Sequence, residues 1–349
     1  MPKKVSDTNN PLSHYTSSAL PPVQVSSQTY HIAGILTTVY GLSEISSNVS
    51  SLAVLWLLHP RLQAQISMQP LAANTILAWN QRADSKKQGL IAVTFDQRNH
   101  GSRLVDKVAN ESWRGGNERH AVDMFSIYHG TQQDMSLILS YLQGYLPPST
   151  PRIERNIVLG ISLGGHSAYL AAIHDPRVEA AVAVIGCPDY TRLMTQRAEK
   201  SKLKTWTRSQ PHGKEFHGSE DFPPALMEAI KTYDPAGLLA QGVNLEKGPT
   251  EEDKSRLKPI IQKTLSGKKI LALSGGADKL VPYSQSAPFL KYFKEAVAKD
   301  GWCGDLGIEL VDEVYDGVGH EMKPAMAERA VSWMCDVLGS DASKQKSKI

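Results

Sequence analysis

Short apolar runs of strand length recur along the chain of 349 residues. The run Leu52–Leu58 contains no polar residue, as is typical of a strand buried on both faces of a sheet. Similar runs predict further strands at Tyr30–Ile35, Leu36–Tyr40, Leu90–Phe95, Asn156–Leu159, Ala180–Ile185, Lys269–Leu273 and Ile308–Tyr315.

Amphipathic segments lie between these strands. In Gln132–Tyr145, apolar residues recur at helical spacing, and the pair Pro147-Pro148 ends the pattern. Comparable patterns predict helices at Arg61–Gln81, Gly164–Ile173, Ser284–Ala298 and Lys323–Leu338. Because strands that alternate with helices indicate βαβ units, we expect an α/β protein with a largely parallel central sheet flanked by helices.

Two segments interrupt this alternation. Residues 102–128 are predicted to form a long polar insertion. Residues 190–262 are charged and rich in Lys and Glu, and we expect them to form a helical cap inserted between two strands. The expected core is then residues 21–189 together with 263–340, and residues 1–20 and 341–349 are expected to be flexible.

Composition narrows the possible functions. The 38 basic and 35 acidic residues give a net charge of +3, too balanced for a nucleic-acid-binding protein. The three cysteines are widely separated and form no CxxC or Cys/His cluster, so we expect neither a metal site nor a disulfide framework. No apolar segment follows the N-terminal charges, and the longest apolar run is too short to cross a bilayer. These features predict a soluble, intracellular protein without a membrane span, and they do not indicate an oligomeric state.

The last three residues bear on where the protein acts. Ser347-Lys348-Ile349 differs from the peroxisomal signal Ser-Lys-Leu only in its final residue. If the tail is recognised, a peroxisomal import receptor is a partner. Peroxisome and cytosol stay open as alternatives.

A G-x-S-x-G motif follows one predicted strand and precedes a predicted helix. In Gly160-Ile161-Ser162-Leu163-Gly164, the serine would occupy a sharp turn that requires small residues two positions before and after it. Because Ser162 begins the helix, the backbone N–H of Leu163 would point toward the same space as the hydroxyl and could stabilise an oxyanion. Ser162 is therefore the candidate nucleophile.

A serine nucleophile needs a base, and the base needs a third group to orient it. Asp278 and His320 each lie just past a predicted strand end, in the order that the motif requires. Asp316 and Asp189 are alternative acids, although an Asp-Gly pair such as Asp316-Gly317 is a strong turn former. His166, one turn beyond Ser162, is expected to have a packing role.

The chain resembles the α/β-hydrolases from about residue 30 to residue 338. The resemblance lies in Gly160–His166, Phe95–Gly101, Gly275–Asp278 with Val281-Pro282, and Gly319-His320. It is similar to the serine esterase and S9-like peptidase branch, and in particular to poorly characterised fungal hydrolases. The resemblance implies a Ser162–Asp278–His320 triad, a cap over the site and no cofactor.

One segment departs from the pattern of these hydrolases. They have His-Gly after the third strand, and the following residue gives the second oxyanion N–H. Here the sequence is Leu58-His59-Pro60-Arg61, and since proline has no N–H, the donor falls by position on Arg61.

We therefore expect a serine hydrolase that cleaves an ester, lactone or thioester of an apolar small molecule. Tyr190, Trp206 and Tyr233 of the cap are candidate substrate contacts, and His100 either lines the pocket or is a satisfied loop histidine. An acyl-CoA thioesterase or a secondary-metabolite hydrolase of peroxisomes is an alternative. A second alternative is a non-catalytic ligand receptor with the same fold.

Overall fold

One sheet organises the protein. The computed structural model describes residues 10–13 and 24–340, and within them eight strands lie side by side in the order β1-β2-β4-β3-β5-β6-β7-β8. β1 and β2 pair antiparallel at one edge, β2 pairs antiparallel with β4, and all later neighbours are parallel. The strands are β1 Ser27–Ile32, β2 Ile35–Tyr40, β3 Ser51–Leu58, β4 Gln88–Phe95, β5 Arg152–Ile161, β6 Val178–Val184, β7 Lys269–Gly275 and β8 Glu309–Tyr315.

Helices cover both faces of this sheet. Their bounds are α1 Gln69–Asn80, α2 His120–Tyr145, α3 Leu163–His174, α4 Tyr190–Ser201, α5 Lys204–Thr207, α6 Pro224–Tyr233, α7 Pro235–Leu239, α8 Glu251–Leu265, α9 Tyr283–Val297 and α10 Pro324–Gly339. Alternate residues of β3 explain its unbroken apolar run: Val54 and Trp56 pack in one core cluster, and Ala53 and Leu55 in a second. The predicted α/β architecture with a mostly parallel sheet is confirmed.

Three predicted boundaries are wrong, each for a local reason. The predicted strand Tyr30–Ile35 runs through a tight hairpin turn, since Ala33 and Gly34 have φ of 50° and 79°. The first helix begins at Gln69 and not at Arg61, because the intervening residues form a loop and a 3₁₀ turn. The predicted polar insertion 102–128 ends early, because α2 already begins at His120.

The segment between β6 and β7 consists of helices that pack in two places. Tyr190 and Leu193 of α4 join a third apolar cluster with Phe125 and Tyr128 of α2. In contrast, α8 packs its apolar face against the core of the sheet through Leu257, Ile261 and Leu265. None of the helices in the described part of the chain is long and apolar enough to span a membrane.

The N-terminal residues 10–13 lie against the core. Leu12 is only 1% exposed, and the carbonyl of Pro11 accepts the N–H of Met322 at 2.8 Å. The rest of the expected flexible segment up to residue 20, the expected flexible tail 341–349 and its Ser347-Lys348-Ile349 tripeptide lie outside the described residues.

Candidate active site

Ser162 lies in a strained turn between β5 and α3. Its φ of 55° and ψ of −112° fall outside the regions that non-glycine residues favour. The turn closes because two glycines let the backbone approach itself. A Cβ on Gly160 would lie 1.9 Å from the carbonyl oxygen of Gly164, and one on Gly164 would lie 2.1 Å from that of Leu58.

Hydrogen bonds connect Ser162 to two residues from later strand ends. Ser162 Oγ lies 2.8 Å from His320 Nε2, and His320 Nδ1 lies 2.7 Å from Asp278 Oδ2. The other oxygen of Asp278, Oδ1, accepts the backbone N–H groups of Leu280 and Val281 at 2.8 and 2.9 Å. The Asp278 side chain is fully buried, so this carboxylate is fixed as an acceptor for the imidazole.

The alternative acids and the second histidine have other partners. Asp189 caps α4 by accepting the N–H of Arg192 at 2.9 Å, and burial raises the pKa of Asp189 to about 6. Asp316 is exposed and precedes Gly317, whose φ is 71°. His166 is buried against the backbone of Cys187 and stacks on Tyr128, and burial lowers the pKa of His166 to about 3.

Two backbone segments border the space in front of Ser162. Leu163 supplies the first amide of α3, which has no acceptor within the helix. The loop that carries Arg61 follows β3, and β3 ends at Leu58, whose carbonyl approaches Gly164. An oxyanion site at Leu163 and Arg61 stays a prediction from the sequence.

His59 fixes the conformation of this loop, a role that the sequence did not reveal. Its Nδ1 donates to the carbonyl of Pro60 at 2.8 Å, and its Nε2 accepts the N–H of Gln97 at 3.0 Å. Burial lowers the pKa of His59 to about 4, so the ring is neutral at pH 7 and can make both bonds. A histidine before a proline was the only signal in the sequence.

The four candidate substrate contacts lie in different surroundings in the structure. Tyr190 has no exposed surface and donates its hydroxyl proton to the carbonyl of Ala121. Tyr233 stacks on His129, with ring centroids 3.9 Å apart, and Trp206 packs against Phe216. Of the four, only His100 borders the same small void as Arg61 and Leu163, and its buried Nε2 has no hydrogen-bond partner among the described residues.

Arg197 on α4 is a residue of the site to which the sequence assigned no role. One guanidinium nitrogen, Nη2, donates to the carbonyl of Leu280, two residues past Asp278, at 3.2 Å. It lies on the partly buried face of a helix rich in Arg and Lys, and no local motif marks it.

Comparisons with known proteins support the fold. No family model and no curated protein matches the sequence. A solved structure of a Thermus thermophilus protein is 17% identical and aligns over 91% of this chain and 100% of that one, with a TM-score of 0.54. The 2,6-dihydroxy-pseudo-oxynicotine hydrolase is also 17% identical, with coverage of 94% and 72% and a TM-score of 0.46. A Pyrococcus furiosus esterase is 12% identical, with coverage of 90% and 92% and a TM-score of 0.44. The similarity concerns the fold alone, and the chain has the predicted α/β-hydrolase fold.

Proposed function

We propose that this protein of α/β-hydrolase fold is a serine hydrolase that cleaves an ester, lactone or thioester of a small molecule. The observation that carries the proposal is the chain of hydrogen bonds from Asp278 through His320 to Ser162. A serine beside an oriented imidazole is the arrangement that acyl transfer requires, and a strained turn between a strand and a helix is where the G-x-S-x-G motif places the nucleophile.

In the first half of the reaction, Ser162 Oγ attacks the carbonyl carbon while His320 Nε2 takes its proton. This requires the His320 tautomer with hydrogen on Nδ1, and the bond to Asp278 Oδ2 favours that tautomer. The developing oxyanion is stabilised by the N–H groups of Leu163 and Arg61. Two such donors contribute several kcal/mol in total, since removing one costs about 3 kcal/mol in well-studied cases.

In the second half, the imidazolium of His320 donates its proton to the leaving alcohol or thiol. Water then replaces the leaving group, gives a proton to His320 and attacks the acyl-enzyme. Ser162 leaves with that proton and the acid product departs. These steps balance without a cofactor.

The helices between β6 and β7 act in this proposal as the cap over the site. Of these helices, α4 contacts the loop that carries Asp278, because Arg197 donates to the carbonyl of Leu280. An apolar body of the substrate is favoured by the apolar cluster beside Leu163 and Val281.

The proposal includes a peroxisomal location, because Ser347-Lys348-Ile349 resembles the peroxisomal signal Ser-Lys-Leu. A fluorescent reporter that carries the last residues of the chain should enter peroxisomes, and deletion of the tripeptide should keep the full-length fusion in the cytosol. Import of the tail-deleted fusion would contradict this address.

Labelling with a fluorophosphonate probe tests the chemistry. We expect stoichiometric labelling of the intact protein, no labelling of Ser162→Ala, and normal labelling of the matched control Ser126→Ala on α2. A series of p-nitrophenyl esters of increasing chain length, beside acyl-CoA, would then rank the substrates. Intact, folded protein without Ser162-dependent labelling would contradict the serine hydrolase and favour the non-catalytic alternative.

A further inference from the structure

A cationic pocket lies beside the proposed triad. Its volume is about 160 Å³, and no carboxylate is among the described side chains that line it. The cationic side chains that line it are Arg61, Arg114, Arg197, Lys200 and Lys279. We call it the cationic pocket.

The cationic pocket adjoins the triad on two sides. Lys279 and Leu280, which line it, directly follow Asp278. Arg61 lines both this pocket and the small void that reaches Leu163, the residue after Ser162. The pocket is thus linked to the candidate nucleophile through Arg61 and Leu163 and to the candidate acid through Lys279 and Leu280.

Arg197 lacks a counter-ion within the described residues. Its Nη1 lies 3.2 Å from His120 Nε2 and 3.0 Å from Met124 Sδ, and its Nη2 donates to the carbonyl of Leu280. Its Nε is buried and has no hydrogen-bond partner in the part of the chain that the structure describes. The nearby carboxylate of Asp278 is already engaged by His320 and by two backbone amides.

Arg61 also lacks a directly paired carboxylate among the described residues. Its guanidinium donates to the backbone carbonyl of Asn110 and forms no ion pair within the ranges that the structure describes. Elsewhere, the partly buried arginines Arg103 and Arg155 each pair with a carboxylate, at 2.8 and 2.6 Å. Among the partly buried arginines of the described residues, only Arg61 and Arg197 thus form no ion pair, and Glu111 is the carboxylate whose charge acts on Arg61.

The surroundings of both arginines disfavour a positive charge, because burial lowers the pKa of each guanidinium. Burial and the neighbouring Arg197 and Arg61 lower the pKa of His120 to about 3, so its neutral Nε2 accepts from Arg197. Burial and the charge of Arg61 lower the pKa of Arg197 to about 10, which leaves it charged at pH 7. Partly desolvated cations without anions raise the free energy of the empty site, and an anionic ligand would lower it.

We propose that the substrate carries a small oxyanion, a carboxylate or a phosphate, which Arg61 and Arg197 bind in the cationic pocket. The inference rests on the proposed serine hydrolase, because it concerns the substrate of the same site. Guanidinium forks match carboxylate and phosphate oxygens in shape. A volume of about 160 Å³ is below the usual range for whole ligands, so it suits one polar end of a molecule rather than all of it.

Two matched substrate pairs test the proposal and separate the two anions. The carboxylate pair is p-nitrophenyl hydrogen glutarate against its neutral methyl ester. The phosphate pair is S-butyryl-4′-phosphopantetheine against the neutral thioester S-butyryl-pantetheine. For one of the pairs, we expect kcat/KM to be about 10- to 100-fold higher for the charged member, as is typical of hydrogen bonds to charged groups.

Variants then assign the preference to the pocket. Arg197→Met should bring the ratio of charged to neutral kcat/KM close to one, and Arg197→Lys should restore it only in part. The matched control Arg208→Met removes a charge from the same insertion, at an exposed arginine paired with Glu215, and should keep the wild-type ratio. If circular dichroism shows that Arg197→Met is misfolded, Lys200→Gln is used instead, because Lys200 is exposed. The ratio of charged to neutral kcat/KM should also fall in this variant.

The possible results separate this inference from the proposed function. If Ser162 is labelled but neither charged substrate is preferred, the proposed anionic group of the substrate is wrong and the proposed serine hydrolase is still supported. If Ser162 is not labelled, the proposed function fails. Calorimetry of the intact protein with glutarate and with inorganic phosphate then tests whether the cationic pocket binds an anion. Absence of Arg197-dependent heat would overturn the pocket as well.

Discussion

At the scale of single residues, the direction of the proton transfer depends on Asp278. Its Oδ1 is occupied by two backbone N–H groups, which leaves only Oδ2 to face His320. An asparagine at this position would keep its oxygen on the amides and turn its NH₂ toward Nδ1. His320 would then carry its hydrogen on Nε2 and could not accept the proton of Ser162.

We therefore predict that Asp278→Asn lowers kcat by about 10⁴-fold, in line with the loss that a wrong tautomer causes in other triads. Steady-state kinetics on a p-nitrophenyl ester measures the loss. The control is Asp316→Asn, which changes an exposed turn residue and should keep wild-type kcat. Comparable losses in both variants would contradict the assignment of the acid.

The sequence predicts the triad candidates but not the cationic pocket, and this difference has a physical reason. Ser162, Asp278 and His320 each follow a strand in a short local pattern, and parallel strands bring such ends to one edge. Arg61 and Arg197 come from segments far apart in the chain, and neither has a local signature. Only the packing of α4 over the acid loop brings them together.

At the scale of elements, the turn between β5 and α3 depends on missing side chains. Gly160 faces backbone atoms of Gly164, which cannot move without opening the helix start. We predict that Gly160→Ala lowers the free energy of unfolding by at least about 3 kcal/mol, as severe overpacking does.

Urea denaturation measures this effect, and α2 offers a matched control. Gly144 is an exposed helical glycine whose added Cβ would meet nothing within 4 Å. Gly144→Ala should stabilise the protein by about 0.5 kcal/mol, because alanine loses less backbone entropy in a helix. If Gly160→Ala were as stable as the wild type, the close approach at the turn would be refuted.

The N-cap of α4 gives a prediction about pH. Burial raises the pKa of Asp189 to about 6 from its ordinary value of 3.8, so the folded state binds the proton more tightly than the unfolded state. The stabilisation from this proton is complete below pH 3.8 and is lost as pH rises through about 6. Asp189→Asn keeps a cap oxygen for Arg192 and carries no charge. It should gain stability over the wild type between these pH values.

Urea titrations at pH 4, 5, 6 and 7 check this difference. We expect the two proteins to be equally stable near pH 4 and Asp189→Asn to be more stable at pH 7 by about 2 kcal/mol. Asp189→Ala removes the cap oxygen as well and should cost about 1 kcal/mol relative to Asp189→Asn at every pH. Parallel stability curves for Asp189→Asn and the wild type would contradict the raised pKa.

Element boundaries were harder to predict than elements. The helix α2 begins at His120, within the predicted polar insertion 102–128, and polar residues such as Asp123 and Ser126 stand between its apolar positions. Its apolar face, with Ala121, Met124 and Phe125, packs on the helices between β6 and β7. The sequence predicts those helices as a cap, but it does not show that they pack on this face.

At the scale of the whole molecule, residues 10–13 contact the segment that follows His320. The alternation of strands and helices was enough to predict the parallel sheet, since it follows from local periodicity. The contact between residues 10–13 and Met322 could not be predicted, because a single leucine in a polar stretch carries no pattern. Met322 lies only two residues past His320, so this contact helps to hold the loop of the proposed base.

The contact predicts a coupled effect of Leu12 on stability and activity. Leu12 is 1% exposed and packs in the same cluster as the buried Met322, whereas Leu104 is 42% exposed. Leu12→Ala should lower the free energy of unfolding by about 2–3 kcal/mol through the cavity that it leaves, and lower kcat as the loop of His320 loosens. Urea denaturation and ester kinetics measure both quantities, and Leu104→Ala should change neither. A destabilised Leu12→Ala with wild-type kcat would show that the N-terminal residues support the core without positioning His320.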